Sequence, residues 1–200
     1  INYWDEIVYI AAGKDLFDHK ALWPYPRGPV ISFIYAVIYA FVADTEYWLI
    51  VTDAAGRVLA YTLLFISVWL VGRELQLLKL APALLLLSLF TALPVYSNFI
   101  NNPSYWTFAV FAGLSLWLIL VFARTQKISV LVGASFMVGF TLLARPDVVF
   151  GISALLAAVF TIRPWRIFNV TKVVASMAGI PSVLVGGYIA IFGLQTGVYL

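Results

Sequence analysis

Cysteine is absent from all 200 residues, which excludes disulfides, thiolate nucleophiles and thiolate metal sites and leaves the redox compartment undetermined. A single histidine, His19, sits beside Asp18. It cannot form a metal site by itself and is assigned no role. Charge is scarce too. Charged residues make up 10% of the chain, against about 25% in soluble proteins, too few to clothe a water-exposed surface. No Gly-rich phosphate loop, nucleophile elbow or zinc-type histidine motif is present, so soluble nucleotide chemistry has no support. There is no internal repeat at a fixed period and no low-complexity linker.

What is abundant is apolar. Hydrophobic residues account for 64% of the chain and the mean hydropathy is +1.00. The composition indicates an all-α polytopic membrane protein. A net charge of +3 does not indicate nucleic-acid binding, because the basic residues fall in short clusters between apolar runs, as in cytoplasmic loops. The polar and aromatic opening runs to Gly28, broken by Pro24, Pro26 and Pro29. Asp5 or Glu6 could open a short helix there, with Ile7, Ile10, Lys14 and Phe17 along one face and Tyr9 on another. Residues 30–43 are apolar but short of the about 20 residues a bilayer crossing needs. They are expected to lie in the interface or dip into it, with Tyr35, Tyr39, Tyr47 and Trp48 at headgroup level.

Spanning segments are expected at 48–72, 80–97, 104–123, 128–143, 148–162 and 173–194. Residues 1–47 then form a first loop with interfacial helices, and 48–200 a bundle of about six spans. The chain opens at Ile1 without methionine and ends in an apolar run, so further helices are expected on either side. Alternate loops put Arg73, Glu74 and Lys79 on one face together with Arg124 and Lys127, and with Arg163, Arg166 and Lys172. The positive-inside rule makes that face cytoplasmic. The 98–104 and 145–147 turns, and the first loop if 30–43 does not span, lie on the extracytoplasmic side.

The candidates for chemistry gather on that second face. Asp5 and Glu6 either cap a helix and favour its positive end, or serve as a general base with a neighbour that binds a cation or positions a hydroxyl. Arg27 is a solvated or headgroup-contacting arginine, or a planar fork matched to phosphate; its setting among prolines favours the latter. Arg145 pairs with Asp147 at a helix turn, or holds a lipid phosphate from the membrane side. Asn101-Asn102-Pro103 reads first as a turn, with Pro103 opening a helix. Asp53 and Arg57 are four apart and suit an intrahelical pair. Gly133, Ser135 and Gly139 could let helices approach closely.

The pattern Asp5-Glu6-x-x-Tyr9, then Tyr25-Pro26-Arg27-Gly28-Pro29, a short aromatic helix and Arg57 in the first full span resembles the N-terminal region of a known family. It is similar to the GT-C superfamily of polyprenyl-phosphate-sugar-dependent glycosyltransferases, closest to the protein O-mannosyltransferase and lipid A aminoarabinose transferase groups. The segment Gly133 to Gly139 to Arg145-Pro146 is similar to theirs as well. The likeness runs from residue 1 to about 160, and its most specific part is the Asp-Glu pair.

The resemblance implies a GT-C-like helix bundle whose first loop faces the periplasm, cell surface or lumen. It implies transfer of a sugar from a polyprenyl phosphate to a hydroxyl of protein, lipid or glycan. Asp5 would be the general base and Glu6 would support acceptor or metal binding. Arg27 and Arg145 would hold the donor phosphate, with Tyr9 and Asn102 as further substrate contacts. No cofactor is assigned beyond a divalent cation, which would sit at Asp5 if one is used. One departure bears on that ion: many members have Asp-Pro where this chain has Asn102-Pro103, and asparagine is no base and a poorer metal ligand. Partners are the lipid-linked donor, the acceptor and membrane lipids, with no nucleic acid. The competing functions are a transporter or permease and a catalytically inactive relative. A transporter would show polar or broken helices near the bilayer midplane, whereas the polar residues here gather toward loop ends on one face.

Overall fold

A computed structural model describes residues 3–21, 29–43, 46–75, 103–145 and 167–197. Among these the secondary structure is entirely helical: α1 (Tyr3–His19), α2 (Pro29–Ala40), α3 (Trp48–Glu74), α4 (Pro103–Thr125), α5 (Ile128–Ala144) and α6 (Ile167–Thr196). The expected spans at 80–97 and 148–162 lie outside the described residues.

Local sequence explains the ends. Pro29 opens α2 and Pro103 opens α4, the position where a missing N–H costs nothing. Lys20 and Gln126 stop α1 and α4 in the left-handed region, both at φ 56°. Each then closes its helix: Lys20 Nζ donates to the Phe17 carbonyl at 2.5 Å, and Gln126 donates through N to Phe122 at 2.8 Å and through Nε2 to Ala123 at 3.0 Å. Gln126 and Lys127 alone separate α4 from α5, so those two helices form an antiparallel hairpin.

Three segments, Trp48–Glu74, Tyr105–Thr125 and Val170–Thr196, are long and apolar enough to cross a membrane, and α2 and α5 are shorter apolar helices. This is the architecture of a helical membrane protein. Hydroxyls on the helices follow the same logic, since lipid offers them no water. Thr62, Thr107, Ser115, Ser135 and Thr141 each donate to a carbonyl three or four residues earlier.

The helices pack as two parallel pairs joined by the α4–α5 hairpin. Along α3 and α4, Ala60 clusters with Trp106 and Val110, Ser67 lies against Gly113, and Glu74 meets Arg124 at 3.2 Å. Along α5 and α6, Leu131 clusters with Val173, Ser135 Oγ is 2.8 Å from Ser176 Oγ, and Gly139 faces Pro181 and Leu184. Gly139 and Ser135 thus admit the close approach expected of them, whereas Gly133 makes only ordinary contact with Leu118.

Two ends follow from this packing. Arg73, Glu74, Arg124 and Lys127 mark one. Trp48, Tyr105 and Arg145 mark the other, and α1 and α2 pack there, with Tyr9, Ile10, Ile31 and Tyr35 clustered on Ala144. The grouping deduced from alternate loops therefore matches the packing of the described helices. The expected face of α1 does not. Ile10 is buried, but Ile7 and Phe17 are exposed, and the covered side is Tyr9, Ile10, Ala12 and Gly13. Gly13 is the reason: a Cβ there would lie 2.6 Å from Tyr35 Cβ and 2.8 Å from the Ala36 nitrogen, so only glycine lets α2 press on this side.

Gly13→Ala should therefore cost about 1–3 kcal/mol, the usual range for overpacking. Gly139→Ala should cost less, because the nearest atom to its new methyl is the flexible end of Leu184. Denaturation in detergent micelles compares the two, and an equal loss would contradict the close-contact account of α1 and α2.

Candidate functional site

The end of the bundle near Trp48 collects most of the polar and aromatic groups with chemical potential. Asp5 and Glu6 stand in the first turns of α1, and Tyr9 one turn further. Tyr9 is 8% exposed and packs with Ile10, Ile31, Tyr35 and Ala144, flanked by Ile38 and Trp48. The next residue along α5 is Arg145. Its backbone turns extended at φ −155° and ψ 94°, while its N–H donates to the Thr141 carbonyl at 2.9 Å.

The Arg145 guanidinium carbon lies 4.3 Å from the centroid of the Tyr105 ring, in the first turn of α4. Such a contact places the cation over the aromatic face and fixes where the guanidinium sits. Sequence reasoning singled out Arg145 but not its tyrosine, which is forty positions away and visible only once α4 and α5 fold back on each other.

An aromatic brace supports the same end. Tyr39 is edge-on to Phe17 at 5.6 Å and to Trp48 at 5.3 Å, and Lys14 Nζ lies 5.7 Å from its ring centroid. Tyr39 thereby ties α1, α2 and α3 together. Lys14 also pairs with Asp18 one turn on. The hydrogen bond that Lys14 donates to that carboxylate raises the lysine above its usual 10.5. A raised lysine contributes below its unfolded pKa and is lost as pH climbs through the folded one, and a pair this exposed contributes little at any pH.

Further into α3, Arg57 Nε contacts both carboxylate oxygens of Asp53 at 3.1 Å, the intrahelical pair expected from the spacing. Both side chains are about a third exposed, each at 31%. Beside them Thr52 is fully buried with its hydroxyl unpartnered, as is Ser32 on α2, although other helical hydroxyls bond back to their own helices.

Of the residues singled out from sequence, the structure brings the α1 segment with Tyr9 to the end that carries Arg145. Arg27, Asn102 and Asp147 lie outside the described residues. Among the described residues no group of three His, Asp or Glu side chains converges, so no metal-ligand set can be assigned among them. Glu74 with Arg124 was not foreseen as a pair: the carboxylate side chain is 7% exposed and the arginine 60%, but both sit at the opposite end of the bundle. Comparison with family models, curated proteins and solved structures finds no match.

The Asp53–Arg57 pair is testable as a unit. On insertion scales a lone Asp at the centre of a membrane helix costs about 2.5–3.5 kcal/mol, and less toward the interface. Arg57→Ala should therefore lower folded stability more than the double change Asp53→Asn with Arg57→Gln, which removes both charges. A double variant at least as unstable as the single would show that the two charges do not offset each other.

Proposed function

We propose that the chain is a multi-pass membrane glycosyltransferase that moves a sugar from a polyprenyl-phosphate donor to a hydroxyl acceptor. The observation that carries this reading is the cluster of Tyr9 and Ile10 on Ala144. It joins the helix bearing Asp5 and Glu6 to the helix end bearing Arg145. A carboxylate pair and an arginine fork at one end of an apolar bundle suit a water-soluble acceptor meeting a lipid-anchored anion.

The reaction needs little else. The Asp5 carboxylate takes the proton from the acceptor hydroxyl as its oxygen attacks the anomeric carbon. The bond from that carbon to the phosphate oxygen breaks, and the electron pair leaves with the lipid phosphate. Phosphate is a competent leaving group, so no strong general acid is required. Arg145 and Arg27 offset the charge that accumulates on its oxygens. A single displacement of this kind inverts the anomeric configuration. Glu6 and Tyr9 orient the acceptor and Asn102 adds a hydrogen bond to the donor. By the positive-inside rule the end carrying Arg73, Arg124 and Lys127 is cytoplasmic, which puts the reacting end on the extracytoplasmic face.

The test is sugar transfer by the protein in membranes, supplied with a polyprenyl-phosphate sugar and a hydroxyl acceptor. Asp5→Asn should lower kcat by about 10²–10⁴ with membrane insertion unchanged. Arg145→Ala should raise the donor KM, and Arg145→Lys should restore it only in part, because lysine keeps the charge but loses the planar fork. Near-normal turnover by Asp5→Asn would remove the base assignment, and the absence of transfer from any polyprenyl-phosphate sugar would remove the reading itself.

A further inference from the structure

α2 has two apolar faces and the protein covers one of them. Ile31, Ser32, Tyr35, Ala36 and Tyr39 are buried. On the other side Phe33 is 64% exposed, Val37 48% and, just past the helix end, Phe41 84%. These three are four residues apart and form one outward stripe. No charged residue occurs from Pro29 to Ala43, so nothing along the stripe calls for water. Tyr47, Leu49 and Ile50 at the start of α3 are exposed as well, and α3 is one of the helices of membrane length.

The order of contacts along α3 gives α2 a direction. Tyr39 packs on Trp48, Tyr35 on Gly56, and Ile34 on the cluster of Ala60 with Trp106 and Val110. As α2 is followed backwards from Ala40, its partners descend α3. Trp48 and Ala60 are separated by about 18 Å at 1.5 Å per residue. A helix lying flat at headgroup level would meet α3 at a single height.

We infer that α2 is a half-depth membrane helix, its Pro29 end innermost and its Phe33–Val37–Phe41 stripe seated in the hydrocarbon of one leaflet. Twelve residues give a length of about 18 Å, a little over half of a hydrocarbon core of about 30 Å. The occupant of the stripe is lipid acyl chain rather than another protein surface, because the stripe carries no charge and α2 descends along a helix of membrane length. Trp48, Tyr47 and Tyr39 then stand at the headgroup boundary, where amphipathic rings are enriched. α1 runs alongside in the same direction, with Gly13 against Tyr35 and Phe17 against Tyr39, so the start of α1 descends with Pro29. The placement is read by depth alone and its test does not require sugar transfer.

The absence of cysteine makes the test direct. Single Phe33→Cys, Val37→Cys and Phe41→Cys variants of the whole chain are labelled with an environment-sensitive fluorophore and reconstituted in phosphatidylcholine vesicles. Lipids carrying a nitroxide at the headgroup or at carbon 12 of the acyl chain serve as depth quenchers, and iodide as the aqueous quencher. At residue 33 the carbon-12 nitroxide should quench several-fold more than the headgroup nitroxide. At residue 41 the order should reverse, with residue 37 between them. Iodide should reach residue 33 least. Equal depth at all three positions would overturn the descent into the leaflet. Iodide quenching at residue 33 as strong as at a Glu46→Cys control would overturn lipid as the occupant. So would labels shielded from both nitroxides and iodide and exposed only on dilution in lipid, the behaviour of a contact between copies.

Discussion

The contact on which the rest of the Trp48 end depends is Tyr35 held between two glycines. Its Cβ and backbone lie where a side chain on Gly13 of α1 would stand, and its ring lies where one on Gly56 of α3 would stand. On the α1 side the approach is by backbone and excludes any Cβ, and on the α3 side the ring fills the place of one, so the absence of two methyl groups lets α1, α2 and α3 meet at Tyr35. The aromatic contacts of Tyr39 with Phe17 and Trp48 lie one turn further along α2 and act on the same three helices. Tyr9 and Ala144 then join that layer to the end of α5, and Arg145 is the residue that follows.

Little in this protein holds its helices together by hydrophobic burial alone. Their outer surfaces stay apolar and exposed, with Val58, Phe65, Val183 and Leu194 turned outward. In lipid such surfaces gain nothing from leaving the solvent, so specificity comes from close fit and from hydrogen bonds. Gly139 against Pro181 supplies the first. The hydroxyl pair Ser135–Ser176, with Ser135 also bonding back to Leu131, supplies the second.

The coarse fold was legible because its signals are local. Hydropathy runs mark α3, α4 and α6, Pro29 and Pro103 mark helix starts, and the four-residue spacing of Asp53 and Arg57 foretells their bond. The face that α1 buries was not legible. The apolar spacing of Ile7, Ile10 and Phe17 points one way, but backbone proximity at Gly13 decided another, and glycine carries no hydropathy signal for that choice. The contact of Arg145 with the Tyr105 ring and the pairing of Glu74 with Arg124 were hidden for a different reason. They join residues far apart in sequence, and only the parallel and antiparallel order of the helices brings them together. For the candidate site, the grouping of the α1 segment with Arg145 could be reached from counting basic loops. The supporting Tyr35, Tyr39 and Tyr105 could not.

The Glu74–Arg124 pair has a consequence at the opposite end of the molecule. α3 and α4 run parallel, and each is a stiff rod of fixed pitch. Asp53 stands about 31 Å up α3 from Glu74, and Tyr105 about 29 Å up α4 from Arg124, at 1.5 Å per residue. Sliding one rod past the other by a single residue would change the relative height of Asp53 and Tyr105 by about 1.5 Å. The pair therefore marks, from the far side of the bundle, the register in which Tyr105 stands beside Arg145.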